Sequence, residues 1–248
     1  MGSTMLDNFR NFIADQKFHP GFLGMILNPY YFLRGGLKRA VSARAPVFRG
    51  TLVDFGCGSK PYRRYFTNVD SYVGMDIEVS GHDHQKLNSL TDIFYDGTHW
   101  PFDSGTIDNV FSSETFEHVF NLPENLAEMH RVLKPGGCLF ATIPFAFPEH
   151  EQPYDYARYT EFGMHHLLTE AGFEEVVVEK SGTAVTAISQ LWSTYLFQNL
   201  GSKHPMIGLP CQLIFIAPGT ILASILNTIL PKNRDLYCSL IVLAKKCG

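Results

Sequence analysis

The pattern of apolar and polar positions changes character twice along the chain. Between Thr51 and Glu179, short β-branched and aromatic runs recur at Thr51–Phe55, Ser71–Asp76, Asp92–Tyr95, Ile107–Ser112, Cys138–Ile143 and Phe173–Glu179. Apolar residues at helical spacing fall between several of them, most clearly over Leu122–Leu133 and Thr160–Ala171. Strands alternating with helices predict a doubly wound α/β sheet. Lys134-Pro135-Gly136-Gly137 closes the first of those helices and opens the next strand, and Gly172 closes the second. A last apolar run, Leu236–Ala244, predicts one more strand.

The flanks read differently. Residues 4–16 and 22–44 are helical in pattern, punctuated by Pro20-Gly21 and Asn28-Pro29. The second stretch sets Phe22, Ile26, Tyr30, Leu33 and Leu37 against Arg34, Lys38, Arg39 and Arg44, an amphipathic basic pattern that serves either core packing or surface binding. Residues 181–231 hold Lys203 as their one charged residue. Within them Met206–Leu230 is long enough to span a bilayer, with Pro210, Pro218 and Gly219 interrupting it. A single crossing would strand the final strand on the wrong side of the membrane. The segment therefore reads as an inserted helical subdomain. A cap over a site, a homodimer face and a peripheral membrane contact through 206–230 all remain open. The resulting plan has an N-terminal helical extension (1–49), a core (50–180), the hydrophobic insertion (181–231) and a final core strand (232–248).

With 248 residues, 45% hydrophobic and 18% charged, the chain suits one large globular core with embellishments and excludes a disordered chain, a coiled coil or a small disulfide scaffold. The five cysteines are odd in number and show no metal-ligand spacing, which points to a reducing compartment and away from structural zinc. Residues 1–20 lack a charged start followed by an apolar run, so no secretion signal is expected, and Met1–Thr4 reads as a cloning remnant. The expected location is cytoplasmic, with membrane association through the insertion as its variant. The net charge of −4 conceals a balance of +7 over residues 1–65, −15 over 66–180 and +4 over 181–248. A nucleic-acid binder is usually basic overall, and none is expected here.

The strongest chemical signal is Leu52-Val53-Asp54-Phe55-Gly56-Cys57-Gly58-Ser59-Lys60-Pro61, an apolar strand ending in a Gly-rich turn that leads into a helix. Glycines let backbone approach a ligand, and a helix start offers free N–H groups. The third glycine of a dinucleotide fingerprint is absent, which weakens a nicotinamide reading. Asp76 closes the next strand, 18 residues after Gly58, where a carboxylate can accept from both ribose hydroxyls; Ile77 can lie against an adenine face. Tyr95-Asp96-Gly97 precedes Trp100-Pro101-Phe102, and Ile107–Ser113 leads to Glu114, Glu117 and His118. Arg131-Val132-Leu133-Lys134-Pro135-Gly136-Gly137 follows. No metal constellation is evident; His82-Asp83-His84 reads as a solvated loop.

Together, VDFGCG, Asp76, the Asp96-Gly97 to Phe102 stretch, FSSETFEHV and RVLKPGG resemble, in order and spacing, the class I S-adenosylmethionine (SAM) dependent methyltransferases over roughly residues 50–180 plus the last strand. The segment PEHEQPYDYARYT (148–160) looks like the small-molecule branch that includes sugar and polysaccharide-cluster enzymes. The resemblance implies a Rossmann-like seven-stranded sheet with an antiparallel last strand. It also implies SAM as cofactor and S-adenosylhomocysteine as product. Gly56 and Gly58, with Cys57 between them, would face the methionine part, and Asp54 would anchor that loop. Asp76 would hold the ribose, Asp96 and Gly97 the adenine end, and Ser113 would lie beside the cofactor. His150 and His118 are the candidate general bases, since histidine titrates near neutrality. Tyr154 and Arg158 are candidates for substrate binding, or Arg158 orders its loop by pairing with Asp155. His165-His166 reads as structural. The expected activity is O-methylation of a sugar or other small hydroxylated acceptor, a lipid-linked one included. The alternatives are an RNA or protein methyltransferase and a non-catalytic SAM-binding scaffold.

Overall fold

The computed structural model describes residues 5–77, 90–203 and 205–248; the His82-Asp83-His84 triplet and Met1–Thr4 lie outside them. The chain divides into two compact units. One comprises Val41–Glu179 with Leu240–Gly248, and the other Met1–Ala40 with Lys180–Ser239.

The first unit is built on the sheet. Its strands are β1 (Gly50–Phe55), β2 (Val69–Ile77), β3 (Ile93–Tyr95), β4 (Ile107–Ser113), β5 (Leu133–Pro144), β6 (Glu174–Ser181) and β7 (Ser239–Lys245). They lie in the order β3-β2-β1-β4-β5-β7-β6. The β1 register places Val53 between Val73 of β2 and Val110 of β4, with all three strands parallel. Gly136 N–H donates to the Lys246 carbonyl and Lys246 N–H to that of Gly137, the reciprocal exchange of an antiparallel pair, so the last strand runs against the others. Central parallel strands are covered on both faces and must be apolar on both. Accordingly Leu52, Val53, Phe55, Val110, Phe111, Leu139 and Phe140 are all buried. Phe111 sits 4.8 Å from Phe66 and 5.3 Å from Phe140 between ring centroids, within the range of favourable aromatic pairs.

Two helices follow the predicted pattern closely. In α4 (Leu122–Val132), Leu122, Asn125, Leu126, Met129 and Val132 form the buried stripe. In α5 (Glu161–Glu170), the Thr160 hydroxyl accepts from Gly163 N–H at 3.1 Å as N-cap, and Met164 and Leu168 face inward. The helix expected after the Gly-rich turn does not form. Pro61 and a span of only ten residues before β2 leave one 3-10 turn, Arg63–Tyr65, which positions Tyr62 and Phe66 in the core.

The second unit is helical. α1 (Met5–Phe18), α2 (Gly24–Leu27) and α3 (Tyr31–Arg44) replace the two helices read from the pattern. The break falls at Asn28, whose side-chain amide donates to the Gln16 and Lys17 carbonyls while its oxygen accepts from Tyr30 N–H. Gln190 caps the start of α3, accepting from Phe32 and Leu33 N–H and donating to the Pro29 carbonyl. Gln190 belongs to α6 (Ala184–Leu196), which a Thr183–Thr186 capping box opens. A π turn (Phe197–Gly201) extends α6, and α7 (Pro205–Cys211), a second π turn (Gln212–Ile216) and α8 (Ala217–Ile229) run back along it. The prolines do not break this return arm. A π turn follows Pro210 and precedes Pro218, so the looser turn accommodates the N–H groups that the two prolines lack.

Candidate active site

The site is assembled at the carboxyl ends of the parallel strands, where open α/β sheets bind ligands. At the end of β1 the chain turns through Gly56 (φ 68°) and Gly58 (φ 46°), and the Gly56 and Cys57 N–H groups donate to the Met75 carbonyl. A side chain at Gly56 would run into Thr115, whereas at Gly58 it would meet only open space. Gly58 thus leaves its backbone open to a ligand. Its N–H donates to Asp76 Oδ2 at 3.0 Å, and Ile77 N–H donates to Asp76 Oδ1 at 2.9 Å. With two bonds accepted, the Asp76 carboxylate keeps lone pairs for a ligand. The loop is anchored by Asp76 in place of Asp54. Asp54 is buried and accepts from the Tyr72 hydroxyl at 2.6 Å. Burial pushes the Asp54 carboxyl up to about 7, against the Tyr72 hydrogen bond. The Cys57 thiol is likewise pushed up to about 12 by burial and the Asp54 charge, so it is no nucleophile.

Lys60 and Asp92 brace the same loop. Lys60 Nζ reaches Asp92 at 2.6 Å, and Gly74 N–H donates to the same carboxylate oxygen. Beyond β3, Asp96 accepts from His99 N–H, Thr98 N–H and the Thr98 hydroxyl, which hold its carboxyl at about 2. It orders its own turn with one oxygen. Gly97 faces the Ile77 side chain, and Asn121 and Asn125 both donate to its carbonyl. The Ser113 hydroxyl, at the end of β4, pairs with that of Thr142 on β5 at 2.9 Å.

Past β4, a 3-10 turn (Phe116–His118) meets the loop that follows β5. His118 Nδ1 lies 2.8 Å from the Tyr154 carbonyl, and His150 Nδ1 lies 3.1 Å from Asp155 Oδ2 and 3.3 Å from the Pro148 carbonyl. These partners can only accept, so each Nδ1 carries the proton and each Nε2 a lone pair. The two Nε2 atoms face each other at 3.2 Å. Glu117 Oε1 stands 3.6 Å from one and 3.8 Å from the other. The Glu117 side chain is 0% exposed, and neither of its oxygens has a hydrogen-bond partner. Burial, then the neighbouring Glu114, pushes that carboxyl well above the usual range. Burial and the His118 ring lower the pKa of His150.

Arg158 grips Asp155 with both terminal nitrogens, at 2.5 and 2.7 Å, and its remaining donors reach the Phe147, Pro148 and Ala157 carbonyls. Burial opposes ionisation of Asp155, but Arg158 and the His150 N–H outweigh it and hold the carboxyl at about 2. Arg158 is thus a strut of the loop, and Tyr154 contributes its carbonyl. His165 and His166 lie exposed on α5. The fold therefore joins both candidate bases and adds Glu117 and Asp155, to which the sequence reading gave no part in the chemistry. Where the sequence shows no metal-ligand spacing, Glu117, His118 and His150 offer ligand atoms all within 4.8 Å of one another. The adjacent Glu117-His118 pair was the available signal; its burial was not legible.

Residues 53–141 match the family model described as a methyltransferase domain. An uncharacterised chloroplastic methyltransferase of Arabidopsis thaliana is 29% identical over 153 residues, which are 53% of this chain. The match spans 42% of that relative's length. Among solved structures, a Haloferax volcanii methyltransferase in complex with the Trm112 activator is 18% identical, with full coverage of both chains and a TM-score of 0.56. A phosphoethanolamine N-methyltransferase of Haemonchus contortus, bound to phosphomonomethylethanolamine and S-adenosylhomocysteine, is 15% identical over 96% of this chain and 57% of its own, with a TM-score of 0.55. A SAM-dependent methyltransferase of Thermotoga maritima is 16% identical over 98% and 96% of the two chains, with a TM-score of 0.52. At these identities the structural likeness is one of fold. The strand order and the antiparallel last strand agree with that likeness of fold, and residues 53–141 are similar to the methyltransferase domain.

Proposed function

We propose that the protein transfers the methyl group of SAM to a hydroxyl oxygen of a sugar or another small hydroxylated acceptor, with lipid-linked acceptors included. One observation carries the reading. Thr115, which a side chain at Gly56 would meet, stands two residues before Glu117 and three before His118, and this supports a role for these proton-accepting groups next to the cofactor loop.

The residues present fit SAM. Gly58 leaves room for backbone contact with its amino-acid part, Asp76 has lone pairs for ribose hydroxyls, and Ile77 with Gly97 borders the base. The acidic groups Asp54 and Asp76 suit a cationic ligand. When bound, SAM supplies an electrophilic methyl on a sulfonium. The chain's own part is to align the acceptor oxygen, exclude water and remove the hydroxyl proton at the Glu117–His118–His150 cluster. Alignment alone is worth about 7–11 kcal/mol of the barrier.

The test is methyl transfer from labelled SAM into separated pools of nucleotide sugars, glycolipids, RNA and protein. Label in a sugar or glycolipid pool, lost in His150→Ala, is the expected result. Label confined to RNA or protein overturns the acceptor class, and no label from a protein that binds SAM makes it a non-catalytic member of the fold.

A further inference from the structure

We propose that Glu117, His118 and His150 hold a divalent metal ion, and that the acceptor hydroxyl binds to it. Only the second half rests on the functional reading above. Two facing nitrogen lone pairs at 3.2 Å repel each other unless something electropositive lies between them. The Glu117 carboxylate, wholly buried and unbonded, has the same need. The three ligand atoms are 3.2, 3.6 and 3.8 Å apart. The point equidistant from all three lies about 2.0 Å from each, the bond length of zinc and similar first-row ions to imidazole nitrogen and carboxylate oxygen.

The surroundings are also those of a metal site. Each imidazole donates its outer N–H, His118 to the Tyr154 carbonyl and His150 to the Pro148 carbonyl with Asp155 beside it, which fixes the tautomer that exposes Nε2. Asp155 is in turn held by Arg158. Two imidazoles and one carboxylate suit Zn²⁺, Mn²⁺ or Fe²⁺ better than Mg²⁺ and leave coordination positions open. An acceptor hydroxyl in an open position becomes more acidic. With the three cluster groups engaged by the ion, the proton passes not to them but to Glu151, 3.7 Å from His118 Nε2, or to water, and the freed oxygen pair forms the bond to methyl as the sulfur–carbon bond breaks, leaving S-adenosylhomocysteine.

The full chain, stripped with chelator, is titrated with Zn²⁺, Mn²⁺, Mg²⁺ and the spectroscopic probe Co²⁺, followed by calorimetry and by cobalt absorption. One ion per chain is expected, with affinity falling about 100-fold or more in His118→Ala and His150→Ala. A SAM-induced rise in melting temperature verifies that each variant is folded. Wild-type binding no tighter than that of the folded double variant overturns the site. Ion binding without methyl transfer sinks the acceptor reading alone, and chelator-resistant transfer without ion binding sinks the metal alone.

The helical unit carries an independent feature, for beside a small apolar cluster of Leu196, Cys211 and Ile216 it turns polar residues inward and large apolar ones outward. Between its helices it buries Thr186, Gln190, Ser193, Thr194, Gln212 and Thr220. Outward it presents Ile188, Trp192, Met206, Ile214, Phe215 and Leu222, between 56% and 92% exposed. A helix in water does the reverse. Small and polar residues between helices with large apolar ones outside is the arrangement of helices in lipid. We infer that residues 184–229 insert into an anionic phospholipid bilayer as a hairpin. At about 1.5 Å per residue its arms are about 27 and 36 Å long, against a hydrocarbon core of about 30 Å. Both ends of a hairpin stay on one side of the membrane, which removes the objection to a single crossing. This unit holds nine Lys and Arg, three Asp and no Glu, a net +6, with Lys180, Lys232 and Arg234 flanking the hairpin. That charge attracts anionic headgroups and opposes pairing of two such units.

Flotation of the full chain with phosphatidylcholine vesicles containing about one-third phosphatidylglycerol tests it. Co-flotation that survives 1 M salt, and is lost in the SAM-binding variant Trp192→Ser/Phe215→Ser, is expected. Detergent-free protein that stays at the bottom of the gradient, as monomer or dimer, overturns it.

Discussion

Replacing Asp54 by asparagine should change how stability depends on pH. Asp54 is 3% exposed at the end of β1, and burial raises its carboxyl from 3.8 to about 7. In the unfolded chain the group loses its proton near 3.9. Between those values the native state binds more protons, so Asp54 makes the fold progressively less stable as pH rises from about 4 to about 7. Each unit is worth about 1.36 kcal/mol, which gives roughly 3 kcal/mol between pH 4.5 and pH 8. Asp54→Asn cannot ionise and keeps an acceptor for the Tyr72 hydroxyl. Its amide hydrogens need new partners at a cost of about 1–3 kcal/mol, but that cost is the same at every pH and cancels in the comparison. Urea unfolding of both proteins at the two pH values is the assay. The variant should gain about 3 kcal/mol relative to the wild type on going from acid to alkaline conditions. A difference that stays constant within about 1 kcal/mol, or moves the other way, refutes the placement of a buried carboxyl at this strand end whose burial outweighs its Tyr72 hydrogen bond.

Asp76→Ala should fold yet lose SAM-induced stabilisation, which for the wild type at 100 times the dissociation constant is about 2.7 kcal/mol by thermal shift; a retained shift removes Asp76 from the ribose site. Arg158→Ala leaves the Asp155 side chain, 3% exposed, without its guanidinium. Breaking a buried pair costs about 3–5 kcal/mol, and Arg158 is partly solvated, so a loss of about 2 kcal/mol is expected in denaturant melts, with less than about 0.5 kcal/mol showing that other contacts hold the loop. Leu126→Ala, at a fully buried position of α4, should cost about 2–5 kcal/mol in the same melts, and a cost below that range would mean that the core collapses around the gap.

The sheet was legible wherever burial on both faces makes a strand continuously apolar, as in Leu52-Val53-Asp54-Phe55 and Val110-Phe111. The failure after β1 has a specific cause. Tyr62 and Phe66 are spaced four apart, as on a helix face, and both are buried, but Pro61 and the nearby start of β2 permit only a 3-10 turn between them. The glycines of the cofactor loop announced themselves because positive φ and close approach leave few other residues possible. The imidazole cluster was half legible. His118 and His150 were each visible as candidates, but their meeting depends on the β5 loop folding back across 32 residues, and Glu117 is distinguished from an ordinary surface acid only by that packing. Nor does any local pattern reveal that Gln190 caps a helix starting 159 residues earlier, because its side chain replaces a cap that the sequence before Tyr31 does not supply.

The place of β7 governs the order in which the protein can come together. It lies between β5 and β6, yet it follows both in the chain, with the whole apolar hairpin intervening. Until residues 239–245 have left the ribosome, β5 presents an open edge and β6 has no neighbour to join. The nascent chain must therefore carry an unpaired strand while its most hydrophobic segment emerges. A chain cut short before Ser239 would leave β5 and β6 unpaired beside an apolar hairpin. Synthesis is thus exposed to aggregation from the emergence of β5 until that of β7, and early capture of the hairpin would shorten that interval.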